Sequence, residues 1–516
     1  MATFRLKKIP SNPDMNINNN TSSSSSYSSS SLKNYGPDFI NFLNNSPTPF
    51  HAVHSMSEIL ESKGFKKLDE TEPFQGVVEK NGKYYITRNG SSIISFIVGG
   101  KWNPSSKESS FSIVGSHTDS PVLKLKPVSK VSKEGYKQIA IELYGGGIWH
   151  TWFDQPLAIA GRVFVQTEDK IEAKLVNLHI PLFKIPTLAI HFDGKQNQAF
   201  TFDKQSQMVP FFTKDSKKIK ATKSCCDDED EGMDYEAFQS IKTMVERHHI
   251  EILDLIKDEL KLDSVNEIDD FELILYPNQP STLGGLKKEF VFSARLDNLT
   301  SCFTSISAIS EIADNKEAIA NDSTIRVSAS FDYEEVGSAQ NGGADSNFLP
   351  NILERLAFVY GDKQKDLKEP LLKSFEKELF AKSFIVSSDV SHGVNPNFAE
   401  WYESNHKPNL GEGVVLKING NQRYTTNGYG MALIKRVAKE NKVPLQLFVV
   451  KNAAPCGSTI GPMMAQRIGK TLDLGNAILS MHSINETGHV DDLGHQIRLF
   501  KGFWESYNKL QNLVQL

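Results

Sequence analysis

The sequence predicts an α/β protein: a three-layer domain on a central, mostly parallel sheet, interrupted by an inserted, mostly β domain. Three observations predict it. Short apolar runs of strand length are interleaved with segments of helical spacing in both the first and the last parts of the chain. Between about residue 121 and residue 285 the texture changes to closely spaced strand-like runs joined by turn-rich loops. The chain has 516 residues, 39% of them hydrophobic and 23% charged, a soluble globular composition with length for more than one core.

Residues 11–31 are mostly Asn and Ser and end in SSSSSYSSSS. Such a segment cannot bury enough apolar surface to offset its ordering entropy, so 1–33 is expected to be a disordered leader with no catalytic role. The main domain then runs over 34–120 and 286–516, around an insert at 121–285. PDFINFLNNSPTPFHAVHSMSEILESKGF carries apolar residues at helical spacing on both sides of a Pro-containing break, which predicts two helices. FSIVG at 111, VFSAR at 291, IRVSASF at 325, SFIVSS at 383, LQLFVV at 445 and AILSMHS at 477 read as strands of the sheet. IRVSASF is the clearest, because Ile325, Val327, Ala329 and Phe331 alternate with Arg326, Ser328 and Ser330. LTSCFTSISAISEIADN, directly after VFSARLDN, reads as a helix packed back on that sheet. Within the insert, KQIAIELYGG, AGRVFVQ, EAKLVNL and TLAIHF read as strands. The acidic run CCDDEDEG at 225 reads as a solvated loop, and DYEAFQSIKTMVERHHIEILDLIKDEL as one amphipathic helix.

The formal charge of -5 and pI near 6.3 hold no basic stripe, so neither nucleic acid nor an anionic membrane surface has a footprint here. No stretch approaches the ~18 to 20 apolar residues needed to span a bilayer, and the N-terminus lacks the apolar run of a signal peptide. Four cysteines, Cys225, Cys226, Cys302 and Cys456, without a CxxC pair, fit a reducing compartment. A glycan on the sequon Asn298-Leu299-Thr300 would crowd Asp297, a candidate site residue. A cytoplasmic protein is expected, with import into a degradative compartment left open.

The chemistry lies just past the strands. FSIVG leads into His117 and Asp119, VFSARL into Asp297, IRVSASF into Glu334 and Glu335, SFIVSS into Asp389 and AILSM into His482. In open α/β sheets, ligands bind in the crevice beyond the carboxyl ends of the strands, where residues distant in sequence converge. Carboxylates crowded there repel unless a cation neutralises them. Two divalent ions would do so, and together they polarise a carbonyl and bring water's pKa toward neutrality for hydrolysis. Such a site needs one bridging carboxylate, a His and a further carboxylate per ion, and a carboxylate left free as general base. His117, His482, Asp297, Glu335 and Asp389 meet the binding demand and leave Glu334 over; Asp119 is placed to accept the other N–H of His117. Each signal alone is also what a structural His or a solvated acidic turn would give.

At these residues the sequence resembles the aspartyl aminopeptidases, cocatalytic zinc exopeptidases. The resemblance runs from about residue 35 to the C-terminus through GSHTDSPVLKLKP, YGGGIWHTWFDQPLAIAGRV, IPTLAIHF, SARLDNLTS, DYEEVGS, SSDVSHGVNPN, NQRYTTN, PCGSTIGP and LGNAILSMHSINE. It implies two zinc ions per subunit, with manganese or cobalt as substitutes. Asp297 would bridge them, His117 and Asp389 would complete one, and Glu335 and His482 the other. It implies Glu334 as the general base that relays a proton from the attacking water to the leaving amine, with Asp119 orienting His117. Substrates would be peptides with N-terminal Asp or Glu, and the insert would drive dimerisation within a tetrahedral dodecamer. His191 would reach into a neighbouring subunit's site as an oxyanion donor, Lys417 would read the acidic side chain, and Tyr424 would line the same pocket. By composition alone, His191 reads as a half-buried strand residue and Lys417 as an exposed lysine. His150 is not required by the family pattern.

Three other readings compete. Another two-metal exopeptidase or amidohydrolase, such as a carboxypeptidase or deacylase, would use the same metal residues. A metal-stabilised assembly protein would have no need of Glu334. A nucleophilic Cys456 has no His or Asp tied to it by a recognisable signature.

Overall fold

Nine strands form the sheet that carries the candidate site, in the spatial order Lys66–Lys67, Lys83–Arg88, Ser92–Val98, Ile325–Phe331, Phe111–His117, Phe384–Ser388, Thr471–Gly475, Val414–Ile418 and Leu445–Val449. Most neighbours run parallel, and the four central strands from Ile325–Phe331 to Thr471–Gly475 are all parallel. The computed structural model describes residues 33–215, 241–358 and 369–511. The expected leader up to residue 32, the acidic run with Cys225 and Cys226, and residues 234–240 of the expected amphipathic helix lie outside the described residues.

Helices cover both faces of the sheet, which gives two separate apolar layers. Along Ser92–Val98, Ile93 and Ile97 pack into one layer with helices Gly36–Asn44, Pro49–Ser62, Leu296–Ile312 and Val490–Leu510. Ile94, Phe96 and Val98 pack into the other, with Phe348–Phe358 and Gly461–Arg467. The first two helices fall on either side of the expected break: Pro49 opens the second, and the Thr48 hydroxyl accepts from the His51 amide as its cap. Ile325–Phe331 is buried at all seven positions, so its alternation separates an apolar layer from a small polar one rather than core from water. On the polar side Ser330 bonds Ser116 at 2.8 Å, and the Cys302 thiol of helix Leu296–Ile312 donates to the His117 carbonyl at 2.9 Å. These small side chains bring that helix close behind His117.

Several expected strands are placed differently. VFSAR forms Phe290–Ser293, which belongs to a three-stranded antiparallel sheet with Thr282–Gly284 and Glu486–His489. AILSMHS contributes only Ala477–Ile478, paired with Ser391–His392. TLAIHF is not a strand: residues 187–192 end in an exposed turn and pair with no strand among the described residues. Between Val122 and Pro277, six strands make an antiparallel sheet of their own, in the order Ile171–Asn177, Leu157–Gln166, Ile268–Pro277, Val122–Lys133, Tyr136–Tyr144 and Phe211–Lys214. One face packs on helix Ile250–Leu260 through Ile252, Leu253 and Ile256. The expected amphipathic helix is broken here, since Met244–Arg247 ends before His249 and the longer helix starts after it. Among the described residues no helix is long and apolar enough to cross a membrane.

Candidate metal centre

His117 is the last residue of its strand, and Asp389 follows Ser388 at the end of the neighbouring one. Gly475 on the next strand makes room for Asp389: a Cβ there would lie 1.9 Å from the Asp389 carbonyl oxygen. Glu334 and Glu335 sit on a one-turn 3-10 helix past Ile325–Phe331, bracketed by Tyr333 at φ 68° and Gly337 at φ 99°. This left-handed bracket folds both glutamates back over the strand tips instead of into solvent. The other two residues come from elsewhere than the large sheet. Asp297 is a non-helical residue at the start of Leu296–Ile312, and His482 lies in a turn after Ala477–Ile478 with φ 68°.

The five side chains meet in two overlapping groups, His117 with Asp297 and Asp389, and Asp297 with Glu335 and His482; in each, the possible ligand atoms lie within 4.8 Å of one another. His117 Nε2 is 3.2 Å from Asp297 Oδ1 and 3.7 Å from Asp389 Oδ1. His482 Nε2 is 3.1 Å from Asp297 Oδ2 and 3.2 Å from Glu335 Oε1. Glu334 belongs to neither group and approaches His117 Nε2 only to 3.9 Å.

The tautomers say what belongs between them. His117 Nδ1 donates to the Asp119 carbonyl at 3.1 Å, and His482 Nδ1 donates to the Gly146 carbonyl at 3.1 Å. A carbonyl only accepts, so each imidazole in its neutral form would turn the lone pair of Nε2 toward carboxylate oxygens. Asp297 Oδ1 and Glu335 Oε1 are buried with no hydrogen-bond partner among the described residues. Lone pairs facing one another in a buried site call for protons or cations between them. The residues therefore fit a pair of cations with N and O ligands, the donor set zinc accepts.

Electrostatics agree. Burial pushes the Glu335 carboxyl up to about 7 against the pull of His482. Burial also drives Glu334 well above the usual carboxylate range despite His117, with Asp389, Glu335 and Asp119 adding to the rise. Burial alone would lower His482, but Asp297 and Glu335 lift it to about 12. Glu334 and Glu335 hold on to protons, as crowded buried carboxyls do, whereas Asp297, against its burial, is held well below the usual carboxylate range by His117 and His482.

Asp119 is almost fully buried, and its side chain ties the cluster together: Oδ1 accepts the Glu334 amide at 3.1 Å, and Oδ2 accepts the Glu335 amide at 3.0 Å and the Tyr144 hydroxyl at 2.8 Å. Its Oδ1 also lies 3.3 Å from His117 Nδ1, beside the carbonyl contact. Lys417, expected from composition to be exposed, is 3% exposed. Its ammonium donates to Asp389 Oδ2 at 3.2 Å and to the Val390 carbonyl at 2.9 Å, and sits 4.8 Å from the centre of the buried Tyr424 ring. Cys456 packs against Tyr424 as a partly buried thiol. His191 is exposed and stands apart from both groups, as does the exposed His150. Asn298 is fully buried and donates to the Ser388 carbonyl, which leaves no room for a glycan.

Tyr144 and Glu486 were both missed in the sequence. Glu486 is buried; Oε1 accepts the His482 amide at 2.7 Å and Oε2 accepts the Asp297 amide at 3.1 Å. It clamps the backbones of two residues that are 185 apart in the chain. An acid four places after His482 was its one visible signal.

An α/β frame with imidazoles and carboxylates gathered around a shared aspartate defines a metal-dependent hydrolase. The chain belongs to the aminopeptidase I zinc metalloprotease (M18) family, whose pattern matches residues 42–504. It is 52% identical to aspartyl aminopeptidase 4 of Saccharomyces cerevisiae, over 94% of this chain and 98% of that one. It is 44% identical to an aspartyl aminopeptidase of Aspergillus oryzae, with the same coverage. Among solved structures, Ape4 in its complex with Nbr1 is 41% identical, with a TM-score of 0.84 over 93% of this chain and 87% of that one. The dodecamer of mApe1 from S. cerevisiae is 30% identical, with a TM-score of 0.76 over 92% of this chain and 98% of that one.

Proposed function

We propose that this chain is an aminopeptidase that releases N-terminal Asp or Glu from peptides at a two-metal site. One observation carries the reading: two His and carboxylate groups share Asp297, while the adjacent Glu334 stays out of both. Asp297 would bridge two zinc ions, with manganese or cobalt as substitutes, His117 and Asp389 holding one and Glu335 and His482 the other. When bound, such a pair supplies Lewis-acid polarisation of the scissile carbonyl and an acidified water. Glu334 acts as general base, taking a proton from the attacking water and delivering it to the leaving amine. Asp119 holds Glu334 and Glu335 in place through their amides and keeps Nδ1 of His117 protonated.

The names of the relatives support an acidic N-terminal residue. Lys417 would meet its carboxylate, with Tyr424 beneath the ammonium. His191 would enter a neighbouring subunit's site as an oxyanion donor, with residues 121–285 as an inserted dimerisation domain in a tetrahedral dodecamer. The cysteine usage supports residence in the cytoplasm. A second reading has a specific observation in its favour: the Lys417 ammonium is already engaged by Asp389 and a main-chain carbonyl, so a two-metal exopeptidase or amidohydrolase of other specificity remains its rival.

A panel of N-terminal aminoacyl peptides, assayed before and after chelation and after zinc return, decides. Aspartyl and glutamyl peptides should be cleaved fastest, with activity lost on chelation and regained with zinc. Faster cleavage of leucyl or N-blocked peptides would replace this reading with the second one, and full activity in metal-free protein would end both.

A further inference from the structure

A groove of about 500 Å³ is walled by the segment that follows Asp389 and by the strand next to Lys417. Past Asp389 the chain forms Ser391–His392 and then lines one wall with Asn395, Phe398, Trp401 and Tyr402. The opposite wall includes Phe448, the register partner of Lys417 on the adjacent strand. The His392 ring, three residues past Asp389, lies 5.3 Å from that of Phe448, so this end of the groove borders the segments that carry Asp389 and Lys417. Trp401 is 70% and Phe398 54% exposed, large aromatic faces left in water unless something apolar covers them.

Among the described residues, two cavities lined by residues of the cluster are small. The one lined by Asp119, Tyr144 and Asp332 has about 40 Å³, and the one lined by Asp297, His482 and Glu486 about 10 Å³. Those are volumes for ordered water, whereas the groove is in the range that holds ligand side chains.

We propose that this groove receives the peptide residue that follows the scissile bond and favours a bulky apolar or aromatic side chain there. The assignment rests on the aminopeptidase reading: the N-terminal residue lies at the cluster, so the rest of the peptide must leave through an open side. Aromatic walls bind a flat apolar side chain by stacking and by removing both surfaces from water.

The test compares aspartyl-phenylalanyl-alanine with aspartyl-glycyl-alanine on the zinc-loaded enzyme and on Trp401→Ala, Trp401→Phe and Phe398→Ala. Both positions are exposed, so the variants keep the fold. The wild type should favour the phenylalanyl peptide about tenfold in kcat/KM, mainly through KM, as expected for partial burial of one aromatic side chain. Trp401→Ala should bring the ratio close to one, Phe398→Ala should lower it, and Trp401→Phe should recover most of it. No preference in the wild type, or an unchanged ratio in both alanine variants, overturns the proposal. If leucyl peptides replace aspartyl ones as substrates yet show the same dependence on Trp401, the groove assignment stands and the acidic specificity falls. A change of assembly size in light scattering with the ratio intact makes the groove a contact between copies and overturns the proposal. Cleavage of none of these peptides overturns the aminopeptidase reading and the groove with it.

Discussion

The tips of the nine-stranded sheet and the exposed turn at 187–192 are two opposite ways of presenting a histidine. His117 is buried, with Nδ1 held by the Asp119 carbonyl and Nε2 facing Asp297. His191 lies in an exposed turn with Leu188, Ile190 and Phe192 also exposed, Phe192 at 81%. The first is preorganised by its own chain, so its geometry is fixed before any substrate arrives. The second is left in water, and exposed apolar neighbours are what a surface destined for another molecule looks like. If both serve catalysis, one half of the machinery depends on folding and the other on assembly.

The largest effect should come from the preorganised half. Glu334→Gln keeps the shape and removes the base, so kcat should fall ~10²- to 10⁴-fold. Because Glu334 lies outside both ligand groups, zinc content by mass spectrometry should match the wild type. Normal turnover would remove Glu334 from the mechanism. Lost zinc would make it a ligand and redraw the cluster.

The exposed histidine should yield less. Loss of one oxyanion donor costs ~10²- to 10³-fold in kcat, and His191→Ala should fall in that range. Subunit exchange between His191→Ala and Glu334→Gln chains sharpens the contrast. If His191 acts in trans, the first chain supplies Glu334, the second supplies His191, and the mixed assembly regains activity neither parent has. Mixed assemblies that form but stay inactive would return His191 to its own chain.

Much of the site was legible because its residues follow apolar runs, and side-chain chemistry at a strand end is a local signal. The sheets those residues hang from were less legible. Ala477–Ile478 is too short to show any period, and Phe290–Ser293 looks like a strand without saying which sheet it joins. Thr471–Gly475, a central strand, carries an acid in mid-run; inside the fold Asp473 is buried and accepts from the Thr459 hydroxyl at 2.6 Å and the Thr425 hydroxyl at 2.6 Å. TLAIHF failed the other way, with strand-like composition and no ladder partner among the described residues. The burial of Lys417 was not legible, since it depends on Asp389, which is 28 residues away.

Glu486 was the hardest to see, because its partners are main-chain amides, and any residue supplies those. It gives the smallest effect and the finest test of preorganisation. Its carboxylate joins the Asp297 and His482 backbones directly, so both Asp297 ligand groups depend on it. Glu486→Gln keeps the size of the side chain but turns one acceptor into a donor that faces an amide donor, so one of the two clamps must open. Zinc affinity should fall ~10- to 100-fold, the usual cost of losing a group that orients metal ligands. Competition against a chromophoric chelator measures this without reference to turnover, and excess zinc should restore much of the lost activity. Wild-type zinc affinity in a folded Glu486→Gln protein would mean that the cluster is held by its strands and helix alone, and the clamp would then be a feature of the fold rather than of the site.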